Sequence, residues 1–462
     1  MQVTLFDELE SSMRDAQPYL DSLGVQIVEA SQKIQFSHNG ASGVHRWSPY
    51  VQGFSGQFVR RTLEQYWEIY GFKDNEDAVV YDPFAGVGTV LVEAKKLGIA
   101  SCQGAELNPL LSFLANVKLQ SWCIEPDLIQ DAWAGLDRNA WSPAPQFLES
   151  ERHFNSPVLL NLQHLKGAIE LIELEYIRNL FKVAFASILV DCSNLKRTPS
   201  LGYWRDKVVE PEAPWALMAF KLKEICDDLA VLQRDGQFLQ KSKAWVSTAD
   251  AKEFDPGDVT LVITSPPYMN GMDYIMNYKI EMAWLGFIQD HTQAKRIKDR
   301  MVACDNISHN VTADFARQPD LYADPWLTDI LDRISYNIDH WDEGHAQTRI
   351  QRKRKIPRLA EEHPRRYRRR DMPGIVHKYF DDMFQVMQRL CLSLRPGGRI
   401  VLVLGDSLIA DVYVPTDLLI AKMGQTLGLG IESIEKARDR RSGQVRSYKL
   451  RESVVTLVKP GW

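Results

Sequence analysis

The sequence is poor in several of the features that define specialised chains. Its six cysteines, Cys102, Cys123, Cys192, Cys226, Cys304 and Cys391, include no CxxC pair and no histidine partner at zinc spacing. That argues against a disulfide scaffold or a structural zinc site and fits a reducing cytoplasm. No apolar run reaches the ~18 residues of a membrane span, and the N-terminus, MQVTLFDELE, is acidic where a signal peptide would be basic. The expectation is a soluble cytoplasmic protein with no membrane partner. No internal repeat and no low-complexity tract is visible. Over 462 residues, 45% are hydrophobic and 25% charged, which rules out a mainly disordered chain. The length suits two to four domains, or one domain carrying large insertions.

Strong charge of one sign is also missing, but the distribution is uneven. Between Arg349 and Arg370 eleven Lys or Arg face two Glu, a local +9, so the remainder of a chain of net −5 carries −14. An acidic body with one concentrated basic segment points to a polyanionic partner, because clustered cations hold phosphates while the body stays soluble. A solvated charged loop is the plainer explanation of such a run.

What is present reads as alternating strands and helices. Residues 79–84 (VVYDPF) form a short apolar strand, followed by a glycine turn and a helix over 90–97. A second strand at 101–106 and a second helix at 110–119 follow, and this alternation implies a parallel sheet with right-handed crossovers. The stretch 125–243 opens with a Pro/Trp-rich loop and continues through segments such as GAIELIELEYIRNLFKVAFASIL, whose apolar spacing is helical. Strand character returns at 243–246 and 259–264, a helix-like stretch spans 274–287, and a helix over 376–394 leads through RPGG into a strand at 399–404. An antiparallel pair, 430–437 and 453–459, closes the chain around the basic loop RDRRSGQVR.

The chemistry concentrates where strands end. Asp82-Pro83-Phe84-Ala85-Gly86-Val87-Gly88-Thr89 places an acid at a strand end, two glycines in a tight turn, and a helix just after. The glycines let a ligand approach the backbone, and the helix N-terminus offers unpaired N–H groups. This loop is neither GxGxxG nor a P-loop. The second strand ends in Gly104-Ala105-Glu106-Leu107-Asn108-Pro109. Glu106, 24 positions after Asp82, suits the two hydroxyls of a ribose, or else caps the next helix. Asp250, in Ser247-Thr248-Ala249-Asp250, could accept from an adenine amino group or simply serve a turn. Directly after the apolar LVI comes Thr264-Ser265-Pro266-Pro267-Tyr268. Two prolines stiffen the backbone and remove two donors. Ser265 and the Pro266 carbonyl can then accept from an amino group, while Tyr268 can stack on its ring.

DPFAGVGT, then AELNP, then TSPPY resembles the S-adenosylmethionine-dependent methyltransferases that modify exocyclic amines of nucleic-acid bases. SNLKRTPSLGYWRDK, GMDYIMNYKIEMAWL and LRPGGRIVLVLGDS are similar to segments of bacterial DNA methylases, and HRWSPYVQGFSGQFVRRTL to the segment that closes over the methionine end of the cofactor. The resemblance implies a class I (Rossmann-like) α/β fold: a seven-stranded, mostly parallel sheet with an antiparallel last strand and mainly helical insertions. It implies S-adenosylmethionine held by Phe58, Asp82, Pro83, Phe84, Ala85, Gly86, Gly88, Thr89, Glu106 and Asp250. Ser265, Pro266, Pro267 and Tyr268 would form the catalytic loop. Commoner adenine-N6 members carry Asp or Asn where this chain has Ser265, and serine is the variant typical of cytosine-N4 enzymes. Cytosine C5 chemistry is disfavoured because it needs a cysteine nucleophile, usually within Pro-Cys, and no Pro-Cys occurs.

The expectation is therefore direct methyl transfer to a flipped base in double-stranded DNA, favouring cytosine N4 over adenine N6. RNA guanine-N2 methylation and a catalytically silent nucleic-acid-binding subunit are the rivals, and a companion restriction nuclease is an open partner. Residues 1–60 would close over the cofactor, and 61–124, 244–287 and 376–462 would form the catalytic domain. Residues 125–243 would be a helical insertion and 288–375 a basic insertion. There Arg365, Arg366, Arg368, Arg369 and Arg370 are expected to bind DNA phosphates.

Overall fold

The computed structural model describes residues 11–30, 43–48, 53, 55–72, 77–198, 200–204, 206–236, 242–271, 273–304, 307–340, 369–441 and 449–461. Its strands in chain order are β1 (Ile27–Glu29), β2 (Val79–Asp82), β3 (Ser101–Glu106), β4 (Leu195–Thr198), β5 (Ser200–Tyr203), β6 (Lys243–Thr248), β7 (Val259–Thr264), β8 (Leu394–Gly405), β9 (Ser407–Ile409), β10 (Val412–Val414), β11 (Gly430–Arg441) and β12 (Lys449–Val458). With the intervening helices they make an α/β protein that separates into two compact units. The first comprises Ile34–Thr264 and Met272–Arg300; the second comprises Met1–Lys33, Ser265–Gly271 and Met301–Trp462.

The first unit is built on four parallel strands in the order β7-β2-β3-β6. All six residues of β7 are buried, as a parallel strand covered on both faces requires. The chain runs from β2 through the helix Thr89–Lys96 to β3, moves outward to β6, then returns to β7 on the other side of β2. With right-handed crossovers that reversal puts helices on both faces and opens a crevice beyond the carboxyl ends of β2 and β7. The sequence reads strand through residue 84, but the ladder stops at Asp82. Pro83 has no N–H to give, and the Asp82 carboxylate turns back to accept the Phe84 N–H at 3.0 Å.

Residues 125–243 hold the helices Ser156–Glu170, Glu175–Ile188 and Ala213–Arg234, as the apolar spacing predicts, and also the helix Pro126–Ala134, where the sequence reads as a Pro/Trp-rich loop. They also hold an antiparallel hairpin, β4–β5, absent from that reading. Arg197 of the hairpin pairs with Glu281 and donates to the Asn277 carbonyl at 3.0 Å, contacts that local periodicity cannot carry. The stretch 274–287 forms two short helices, Tyr274–Asn277 and Lys279–Trp284.

In the second unit β8 and β11 both pair antiparallel with β12, and β1 pairs parallel with β11. The expected closing antiparallel pair is β11 and β12. β8 begins at Leu394, earlier than the sequence suggests, because RPGG joins the ladder. Gly397 N–H donates to Lys459 O and Lys459 N–H to Gly398 O, each at 2.9 Å, with Gly397 at φ +76°. The helices Met372–Ser393 and Thr416–Thr426 belong to this unit, and Asp417 of the latter pairs with the fully buried Arg451 at 3.1 Å. Among the described residues no helix is long and apolar enough to cross a membrane.

Gly104 sets how closely the glycine loop lies on β3. A Cβ there would stand 2.7 Å from the Ala85 Cβ and 3.3 Å from Leu91. Gly104→Ala should therefore destabilise the protein by about 1–3 kcal/mol through overpacking. An unchanged urea midpoint would refute that account of the loop.

Candidate active site

The glycine loop is assembled from the two strand ends. Asp82, 2% exposed, accepts the Thr264 hydroxyl at 2.6 Å, so the last residue of β2 is tied to the last residue of β7. Ala85 N–H donates to Ala105 O at 3.0 Å and Gly88 N–H to Ala85 O at 2.8 Å, closing the turn against β3. Gly86 and Gly88 hold φ of +52° and +82°, the left-handed region that glycine enters without strain. A Cβ on Gly88 would also meet Ala115 at 3.1 Å. Thr89 then opens the next helix, with Gly88 as its N-cap.

Glu106 faces this loop. One of its oxygens accepts the Gly86 N–H at 2.9 Å and the other the Asn108 N–H at 2.8 Å. The capping role considered for Glu106 belongs instead to Asn108, whose side chain accepts from Leu110 N–H at 3.0 Å. Burial pushes the Asp82 carboxyl up to about 7, against the bonds from Thr264 and Phe84, and Glu106 adds to the rise. Burial likewise raises Glu106 to about 7, against the backbone donors at Asn108, Gly86 and Leu107. Among the described residues neither carboxylate has a cationic side chain within ion-pair distance. Two acids without a counter-cation, beside backbone N–H groups and a helix start, suit a ligand that carries hydroxyl donors and positive charge.

Asp250 lies just past β6, 8% exposed, and accepts the Lys252 N–H at 3.0 Å. It thus serves the turn, with Lys252 Nζ a further 3.6 Å away. Phe58 is buried on the helix Gly56–Gln65, which packs against Thr89–Lys96. The segment ahead of it is bolted down at two places. His45 meets Glu93 at 2.7 Å, and Asp228 receives a bidentate fork from Arg46, at 2.7 and 2.9 Å, plus the Trp47 indole. Burial lowers the His45 pKa, against the hydrogen bond to Glu93.

The chain enters the second unit at Ser265. There the Ser265 hydroxyl donates to the Val403 carbonyl at 3.3 Å, Pro266 is buried, and the Tyr268 hydroxyl donates to Glu452 at 2.6 Å. The Arg440 guanidinium lies 4.8 Å from the Tyr268 ring centroid. Thr264, Arg440 and Glu452 were not singled out by sequence reasoning. Thr264 had a signal, as the polar end of the apolar run LVI; Arg440 and Glu452 had none, being 172 and 184 positions from Tyr268.

Of the five arginines expected at DNA, Arg365, Arg366 and Arg368 lie outside the described residues. Arg370 is exposed. Arg369 forks onto Asp371, at 2.7 and 3.0 Å, and donates to Ile307 O at 2.8 Å.

No protein-family model matches the chain. Its relatives are type II methyltransferases. The chain is 22% identical to type II methyltransferase M.BsoBI of Geobacillus stearothermophilus, covering 94% of this chain and 90% of that protein. It is 21% identical to M.AvaI of Anabaena variabilis, over 92% and 86%, and 23% identical to M.MvaI of Kocuria varians, over 88% and 87%.

The raised carboxyls give a pH dependence with a definite sign. Folding lifts Asp82 from an ordinary 3.8 to about 7, so the folded chain holds a proton that the unfolded chain releases. Its contribution is full below about pH 4 and lost as pH rises through 7. Unliganded wild type should therefore lose stability relative to Asp82→Asn across that window. Parallel stability–pH curves from urea unfolding would contradict the burial argument.

Proposed function

We propose that this chain is a site-specific DNA methyltransferase that transfers a methyl group from S-adenosylmethionine to the exocyclic N4 amine of a flipped cytosine. The observation that carries the reading is similarity to type II methyltransferases along nearly the whole chain, together with a Ser-Pro-Pro-Tyr loop leaving the strand end that bonds Asp82. Residues 61–124, 244–287 and 376–462 would form the seven-stranded catalytic domain, with 1–60 closing over the cofactor and 125–243 and 288–375 inserted.

S-adenosylmethionine supplies an electron-poor methyl on a positively charged sulfur. The crevice beyond β2 and β7 fits it: Glu106 would take the ribose hydroxyls, Asp82 to Thr89 the charged methionine end, and Asp250 the adenine amine, with Phe58 alongside. Asp82 and Glu106, which among the described residues have no cationic side chain within ion-pair distance, would each gain a further partner when ionised.

On the base side, a cytosine amine is a weak nucleophile because its lone pair is delocalised into the ring. The Ser265 hydroxyl donates to the Val403 carbonyl at 3.3 Å and also hydrogen-bonds the Tyr268 hydroxyl, and its remaining lone pair would accept an amine N–H. A second acceptor at the Pro266 carbonyl would favour a pyramidal nitrogen with its lone pair exposed. Pro267 stiffens the loop, and Tyr268 offers a ring for the unstacked base. Nucleoside mass spectrometry on DNA from expressing cells should find N4-methylcytosine. N6-methyladenine in its place would overturn the base assignment, and methylated RNA with unmodified DNA would overturn the substrate.

Two classes of variant should separate. Asp82→Ala and Gly86→Asp should abolish S-adenosylmethionine binding in calorimetry, whereas Pro266→Ala and Tyr268→Ala should keep it and lose turnover. Undiminished affinity in the first pair would remove the cofactor assignment, and wild-type methylation by the second pair would remove the catalytic loop.

The basic segment should bind phosphates. Because Arg369 is engaged with Asp371, the informative variant spares it: Arg365, Arg366, Arg368 and Arg370 all to Gln. Affinity for all duplexes should fall, and the slope of log K against log salt should flatten by roughly 0.9 per lost contact. An unchanged slope would make the segment an inert loop. Lost discrimination at steady affinity would make it the reader of the site.

A further inference from the structure

The closing strands hold arginines and acids that the sequence reading treats only as an antiparallel pair and its connecting basic loop, yet several converge on Tyr268. The Tyr268 hydroxyl donates to Glu452 Oε1 at 2.6 Å, and Glu452, 4% exposed, is held through its other oxygen by Arg438. The Arg440 guanidinium covers one face of the ring at 4.8 Å and is fixed by donating to the Asp406 carbonyl at 2.7 Å. Gly405 makes room for both. A Cβ there would lie 2.9 Å from Tyr268 Cε2 and closer still to the Arg440 guanidinium. On the backbone side Gly271 N–H donates to Tyr268 O at 2.8 Å.

We propose that Arg440 and Glu452 are positioning residues for Tyr268, gripping its ring by one face and by its hydroxyl so that the opposite face meets the target base. The proposal rests on the reading of Tyr268 as the base-stacking surface. The phenol has one proton, and that proton is committed to Glu452. Burial and the adjacent Glu452 push its pKa well above the ordinary phenol value, so the hydroxyl neither ionises nor donates to a base. What Tyr268 can offer is its π-face, and a stacking platform works only if its tilt is fixed. A guanidinium on the opposite face and an anchored hydroxyl remove the two motions, tilt and rotation about the Cβ–Cγ bond, that would spoil it. A small misplacement of a reacting group is costly in rate and cheap in binding.

The test uses the full chain, S-adenosylmethionine, and a duplex carrying the site mapped by sequencing methylated DNA from expressing cells. Glu452→Ala, Arg440→Ala and Tyr268→Phe should each lower kcat roughly ten- to hundredfold with little change in KM for DNA. Glu452→Gln should recover part of the loss, since its amide oxygen still accepts from the phenol. The double variant Tyr268→Phe, Glu452→Ala should be no slower than Tyr268→Phe alone, because Glu452 acts through that hydroxyl. Losses that multiply, or wild-type kcat in Arg440→Ala and Glu452→Gln together with a slow Tyr268→Ala, would overturn the grip while leaving the stacking role standing. Wild-type kcat in Tyr268→Ala would overturn the stacking role itself, and the grip with it. Should Glu452→Ala fail to fold because Arg438 is left unpaired, the Gln and Arg440 variants carry the same comparison.

Discussion

One hydrogen bond organises the first unit's crevice: the Thr264 hydroxyl donated to the buried Asp82 carboxylate at 2.6 Å. A hydrogen bond of this kind contributes about 0.5–1.5 kcal/mol, and leaving the buried acceptor bare costs about 1–3 kcal/mol. The bond joins the carboxyl ends of two neighbouring parallel strands at the point where strand order reverses. From one end the chain enters the glycine loop, and from the other it enters Ser265. The glycine loop therefore leaves from a fixed origin, and the remaining contacts refine its placement. Gly104 brings Ala85 down onto β3, Glu106 catches the Gly86 N–H, and Asn108 starts the helix that supports Gly88.

The same carboxylate is poorly solvated in the unliganded chain. A rise from 3.8 to about 7 corresponds to an ionised form disfavoured by on the order of 4 kcal/mol. Folding tolerates this by letting Asp82 keep a proton near neutrality, and Glu106 does likewise. A ligand that brings hydroxyl donors and a positive charge would relieve that unfavourable ionisation on binding. The crevice is thus less stable empty than its packing alone would allow, a familiar arrangement where a site is shaped for a charged guest.

The sequence made this first unit legible because its signals are local. A nearly all-apolar run marked β7 at its observed bounds, and two glycines marked the turn after β2, although that strand stops at Asp82, two residues earlier than the pattern suggests. Pattern length failed where pairing is decided from a distance. The β4–β5 hairpin sits inside a helical stretch because Arg197 is captured by Glu281 and Asn277, some eighty positions later. β8 extends back through RPGG because Lys459 completes its ladder. Around Tyr268 the motif named the loop and missed its supports, since Glu452 and Arg440 come from strands that no spacing rule connects to a proline turn.

Charge counting had a similar blind spot. A run with eleven Lys or Arg reads as eleven free cations, but an arginine works on phosphate only if the fold leaves its donors free. Arg369 has three of its N–H directions committed, two to Asp371 and one to Ile307 O, and Asp371 is also held by His309 and Thr312. The same holds in the closing strands, where Arg438 is bound to Glu452, Arg440 to Asp406 and the Tyr268 ring, and Arg451 to Asp417. These cations add to the formal charge and release few counterions when a polyanion docks. The salt slope of binding, roughly 0.9 per phosphate neutralised, therefore counts arginines whose guanidinium still faces water, such as Arg370, and not the total read from the sequence.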